Sequence, residues 1–156
     1  MQYEVAENCM TCHGLAHPDL KADDLAKMLG AGHPINPDFE LAKYSQGSVR
    51  HRHYPPDIKT NAEMTPQELA QIYVIGQAAA LVSATEVVSK SSEAKYKEAQ
   101  NKRVENAKAA LGGVSEAAGL LAAPTRENAI KFVQSISGKD LTGAVGGKLP
   151  AKSDYK

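Results

Sequence analysis

From Thr65 to Leu111 the chain meets no hard helix breaker, and this stretch constrains the fold more than any other. Thr65-Pro66-Gln67-Glu68 has a capping hydroxyl, a proline at the first helical position and an acidic first turn, which together mark a helix start. The helical pattern then continues to Gly112-Gly113 and weakens only across residues 89–92. A straight helix of roughly 45 residues would be a rod near ~70 Å, at ~1.5 Å per residue. A bend or a two-helix hairpin near Lys90 is therefore expected. Earlier in the chain, Gly14, Pro18, Gly30, Gly32, Pro34, Pro37, Gly47, Pro55 and Pro56 leave room only for short helices. These are expected at residues 2–8, at 22–29, where Leu25, Met28 and Leu29 share a face, and at 37–44 with Asn36 as cap. A last helix is expected at 125–136, followed by a loose Gly/Lys-rich tail from Gly143. No alternating strand pattern occurs. The expected fold class is all-α, a small helical domain followed by a long helical extension or hairpin, with the division near residue 80.

Composition agrees with packed helices. The 156 residues are 42% hydrophobic and 23% charged, enough for one core, while Trp is absent and alanine is abundant. No run approaches 18 consecutive apolar residues, so no transmembrane segment is expected. Residues 1–80 carry six Lys/Arg against ten Asp/Glu, and residues 81–156 carry twelve against eight. That split favours halves that attract each other or a basic face for an acidic partner. No dense basic run with interleaved aromatics is present, so a nucleic-acid partner is not expected.

Cys9-Met10-Thr11-Cys12-His13 is a C-x-x-C-H haem-attachment signature. Two thiols three residues apart on a helical turn reach the two vinyl groups of one porphyrin, and the adjoining histidine lies under the iron as its axial ligand. The chain has no other cysteine, so one covalent haem c is expected. A redox dithiol would call for a βαβ context. A zinc site would recruit Cys9, Cys12 and two of His13, His17 and His33, whereas zinc cysteines more often come as two separated pairs.

All five histidines lie within the first 53 residues, which leaves His17, His33, His51 and His53 as second axial ligands beside His13, with Met10, Met28 and Met64 as thioether candidates. Gly30 and Gly32 would let the backbone at His33 approach a flat cofactor. Arg50, Arg52 and Tyr54 flank the later histidines and have the chemistry to bind haem propionates.

The Tyr3-to-Asn8 approach, the Cys9-to-Gly14 motif and the Thr65-to-Tyr73 helix start together resemble class I c-type cytochromes over roughly residues 1–80. The resemblance implies that the last helix of such a unit packs across the first. It also places His53-Tyr54-Pro55-Pro56 where those proteins carry a ligand methionine, so His53 is the implied second ligand and the iron is bis-histidine; His51 and His33 are the alternatives. The proline that steadies the proximal histidine in that family has no clear counterpart here. The implied function is single-electron transfer with a redox protein partner. The alternative is a gas (NO/CO) sensor with a labile distal ligand. Catalysis by the chain alone is not expected, because no nucleophile or carboxylate–histidine set stands apart from the motif.

Residues 1–4 lack the basic start and apolar run of a secretory signal. Haem attachment implies a periplasmic or other extracytoplasmic location, so a leader is expected to have been removed. In the second half, Ala78 to Val88 offers a small-residue surface for close helix packing. Tyr96, Ala99, Val104 and Ala107 form a thin stripe expected to be a helix seam, within this chain or in a homo- or hetero-oligomer.

Overall fold

The computed structural model describes residues 2–36, 38–47 and 63–156. Among these residues the protein is all-α, with eight α-helices and no strand. They are α1 Gln2–His13, α2 Ala22–Gly30, α3 Leu41–Ser45, α4 Pro66–Lys90, α5 Ala94–Leu111, α6 Ala118–Ala122, α7 Arg126–Ser135 and α8 Thr142–Val145.

Helix α4 starts as its sequence demands. The Thr65 hydroxyl accepts the Glu68 N–H while the Glu68 carboxylate accepts the Thr65 N–H, a complete capping box. α4 is the central helix, with α1, α3, α5, α7 and α8 packed around it and with Ala70, Val74, Ala78, Leu81 and Ala84 fully enclosed. Residue 80 lies inside this helix, and one apolar cluster runs from Tyr3 to Val145. Against the expectation from apolar runs, α4 is by length and composition long and apolar enough to cross a membrane. Of that stretch 67% is buried inside the fold, so protein neighbours already cover most of its apolar surface.

The long helical stretch turns back as a hairpin. Lys90 ends α4, Glu93 precedes α5, and the two helices pack along each other. Asp23 of α2 fastens the corner, accepting from the Ser91 hydroxyl and the Ser92 N–H at 2.9 Å each and from the Ser92 hydroxyl at 3.1 Å. The buried seam of α5 is Tyr96, Gln100, Arg103, Ala107, Ala110 and Leu111, a regular three-and-four spacing with two polar members. Ala99 and Val104 of the expected stripe are only half-buried.

Three expectations near the breakers change. α1 continues to His13, so the whole motif is helical. Met28 is 38% exposed, and Ala22, Leu25 and Ala26 are the buried residues of α2. α3 begins only at Leu41, because the two carboxylate oxygens of Glu40 accept the Ala42 and Lys43 N–H groups at 2.7 and 2.8 Å. Asn36 instead closes a turn onto the Asp38 N–H. α3 lies so close to α4 that a Cβ on Gly76 would stand 2.8 Å from the Leu41 Cβ.

The tail from Gly143 is held rather than loose. Val145 is fully buried, and the Lys148 ammonium donates to the Ala109 and Ala110 carbonyls at the end of α5. Helix ends leave carbonyls without intrahelical partners, and a cation there also meets the negative end of the helix dipole. α7 ends in a similar way: the buried Gln71 amide of α4 donates to the carbonyls of Ile136 and Lys139 at 2.8 and 2.7 Å.

Candidate functional site

Cys9, Cys12 and His13 stand at i, i+3 and i+4 on α1, which brings them onto one face. Tyr3, Ala6 and Met10 lie on the neighbouring face and are buried in the core. The core therefore fixes the rotation of α1 and turns the motif outward. Both thiols are free, Cys9 half-buried and Cys12 exposed. Burial pushes the Cys9 thiol pKa up, and the nearby Cys12 adds to that shift.

His13 occupies the last turn of α1. Its ring stacks on Phe39 with centroids 4.1 Å apart and planes 3° from parallel. Tyr44 closes the group, 4.8 Å from Phe39 and 6.1 Å from His13, and its hydroxyl accepts from the Asn36 amide at 2.8 Å. Aromatic contact across the ring face orients an imidazole while keeping its edge nitrogens in the ring plane, where a metal binds.

Directly after His13 the chain reverses in a Schellman turn. The Ala16 N–H reaches the Thr11 carbonyl and the Leu15 N–H the Cys12 carbonyl, each at 3.1 Å. The left-handed position of that turn, usually glycine, is Leu15 with φ +47°. Such a conformation costs a branched residue about 1–2 kcal/mol. Burying the leucine side chain against Leu25, Val87 and Tyr96 contributes a comparable ~1.5–3 kcal/mol. Glycine stands one position earlier for a steric reason. A Cβ on Gly14 would collide with the Arg103 guanidinium and come within 2.6 Å of the Met10 carbonyl.

Three buried side chains of α5 hold this turn. The Tyr96 hydroxyl donates to the Leu15 carbonyl at 2.5 Å. The Gln100 amide and Arg103 Nη1 donate to the Gly14 carbonyl at 2.9 and 3.0 Å. Arg103 further donates to Gln100 Oε1, Ser83 Oγ and the Met10 sulfur. All these acceptors are uncharged, and burial pulls the Arg103 pKa down to about 10. A cavity of about 180 Å³ lies between this cation and the ring stack, with Phe39, Tyr73, Gln77, Arg103 and Asn106 on its walls alongside Asp38 and Glu40.

The expected site residues fall into two groups. Cys9, Cys12 and His13 come together on α1. Arg50, His51, Arg52, His53 and Tyr54 lie outside the described residues. His33 is exposed beyond the end of α2, with Nδ1 2.9 Å from the Pro34 carbonyl. His17 accepts the Asp19 N–H at 3.2 Å. The buried Met10 packs its sulfur against Arg103, and Met64 sits half-buried against the core. Among the described residues no group of three or more His, Cys, Asp and Glu side chains is placed to hold a metal ion, so the zinc alternative gains no donor set.

The donor set does fit a covalent haem: two free thiols and an imidazole share one helix face, and the imidazole ring is already oriented. Sequence reasoning passed over Phe39, Gln100 and Arg103, and placed Tyr96 only in a helix seam. The one signal in reach was the spacing of Tyr96, Gln100, Arg103 and Ala107, which is regular only if polar side chains are admitted to a seam. No family model, curated protein or solved structure matches this chain.

Proposed function

We propose that the protein is a monohaem c-type cytochrome that transfers single electrons to and from a redox protein partner. The observation that carries this reading is the shared face of Cys9, Cys12 and His13 on α1, with both thiols free and the imidazole stacked on Phe39. Cys9 and Cys12 would hold the porphyrin as thioethers, each S–H adding across one vinyl group with no net oxidation, and His13 would supply a nitrogen ligand. The bound haem supplies a one-electron couple.

A histidine as second ligand would lower the potential relative to methionine. His53 is the proposed ligand, with His51 and His33 as alternatives, and Arg50, Arg52 and Tyr54 are assigned to the propionates. On this reading the chain acts outside the cytoplasm.

The clamp from α5 onto Gly14 and Leu15 favours one further reading, a gas sensor, because it joins residues 81–156 to the turn beside His13. Two measurements test the proposal. Intact mass of chain produced with haem-attachment machinery is expected to rise by one haem, and Cys12→Ser to lose most haem-loaded protein; an unloaded wild-type chain refutes the reading. The visible spectrum is expected to be low-spin and unchanged by CO, whereas a CO-responsive wild type puts the sensor first.

A further inference from the structure

We infer that Arg103 is a positioning residue that sets the reduction potential of the haem, through a buried positive charge held beneath the motif turn. This inference rests on the cytochrome reading and gives α5 a defined role within it. Three observations support it. The guanidinium occupies the space where a Gly14 side chain would stand, one residue from His13. It is 4% exposed, and its hydrogen-bond acceptors are two side-chain oxygens, a carbonyl and a thioether, all neutral. It shares a cavity wall with Phe39, the ring stacked on His13.

A charge in such surroundings is screened far less than one in water. Oxidising a haem iron adds one positive charge, so a fixed cation nearby disfavours the oxidised form and raises the potential. Asp38 and Glu40 also face the cavity. The Glu40 carboxylate is occupied by the Ala42 and Lys43 N–H groups, which turns it to the start of α3. The bonds to the Gly14 carbonyl make the same side chain a structural anchor, so the charge and the geometry have to be separated by experiment.

Spectroelectrochemical titration of the haem-loaded protein makes that separation. Arg103→Met is expected to lower the midpoint enough to change the oxidised-to-reduced ratio at least tenfold at a fixed solution potential, which is ~59 mV for one electron. Ser83→Asp, which sets a carboxylate beside Nη2 and leaves the arginine in place, is expected to lower it in the same direction. Arg103→Lys keeps the charge and is expected to stay within threefold of wild type. Tyr96→Phe breaks a bond to the same turn without changing charge and is expected to move the midpoint less than either charge-altering variant. If Arg103→Met fails to hold haem, Ser83→Asp decides alone. A midpoint unmoved by the charge-altering variants overturns the inference, as does a Tyr96→Phe shift as large as theirs. A wild-type chain without haem refutes the cytochrome reading instead, before any potential is measured.

Discussion

The α4–α5 hairpin and the segment from Gly14 to Gly47 are held in opposite ways. The hairpin is a seam of side chains at regular helical spacing, enclosed by apolar neighbours, and α4 starts on the local Thr65–Glu68 capping box. The earlier segment depends on groups far away in sequence: Tyr96, Gln100 and Arg103 for the turn after His13, and Ser91 and Ser92 for α2. Apart from Asp23 at the corner and Lys148 at the end of α5, support therefore runs from the hairpin to the motif. Damage to the hairpin is expected to reach the motif, whereas damage to the motif turn is expected to leave the hairpin standing.

The largest effect is expected from Leu81→Ala, which empties a fully buried position in α4. It should cost about 2–5 kcal/mol in urea unfolding and, on the proposed cytochrome reading, lower the yield of haem-loaded protein as well. A variant that lost only stability would break the directional relation.

Gly14→Ala ranks next. The added methyl group meets Arg103 and the Met10 carbonyl, and overpacking of this kind costs about 1–3 kcal/mol. Far-ultraviolet circular dichroism should retain the hairpin's helix content while haem attachment falls.

Leu15→Gly sharpens the comparison because two terms oppose. Glycine relieves about 1–2 kcal/mol of left-handed strain, but loses ~1.5–3 kcal/mol of burial and costs roughly 0.5–1 kcal/mol in backbone entropy. The expected balance is a loss of about 1.5 kcal/mol in urea unfolding, and a gain would show that strain dominates the turn.

The smallest effect belongs to Asp23. Hydrogen bonds from the Ser92 backbone and the Ser91 and Ser92 hydroxyls hold its carboxyl pKa below the ordinary 3.8. A depressed folded pKa stabilises above the unfolded value and is lost as pH falls through the folded value. Unfolding midpoints should therefore fall below about pH 4, and Asp23→Asn should flatten that limb. Hydrogen exchange is expected to quicken first at Ser91 and Ser92.

Much of the hairpin was legible because local signals agree with its tertiary role. The capping box at Thr65, the weakening across residues 89–92 and the Thr125 cap of α7 are all read within one turn of chain. The motif was legible as three side chains, but its surroundings were not. Gln100 and Arg103 lie outside the apolar stripe read from the sequence, and only the carbonyls left at the end of α1, some ninety residues earlier, explain their burial. Phe39 lies among breakers, where no periodicity marks an inward face. Glu40 delays α3 through a cap that Asn36 seemed better suited to supply by composition. Lys148 belongs to a tail whose Gly/Lys composition reads as loose, yet its ammonium answers the unpaired end of α5.

The sequence distance between the motif and its clamp also sets an order of events during synthesis. Met10 and Arg103 are 93 positions apart. A chain that emerges N-terminus first, at about 5–20 residues per second, exposes both thiols for roughly 5–20 s before its clamp exists. In that interval Cys9, Cys12 and His13 lie on a chain that still lacks Tyr96, Gln100 and Arg103, the side chains that hold the turn behind them in the finished fold.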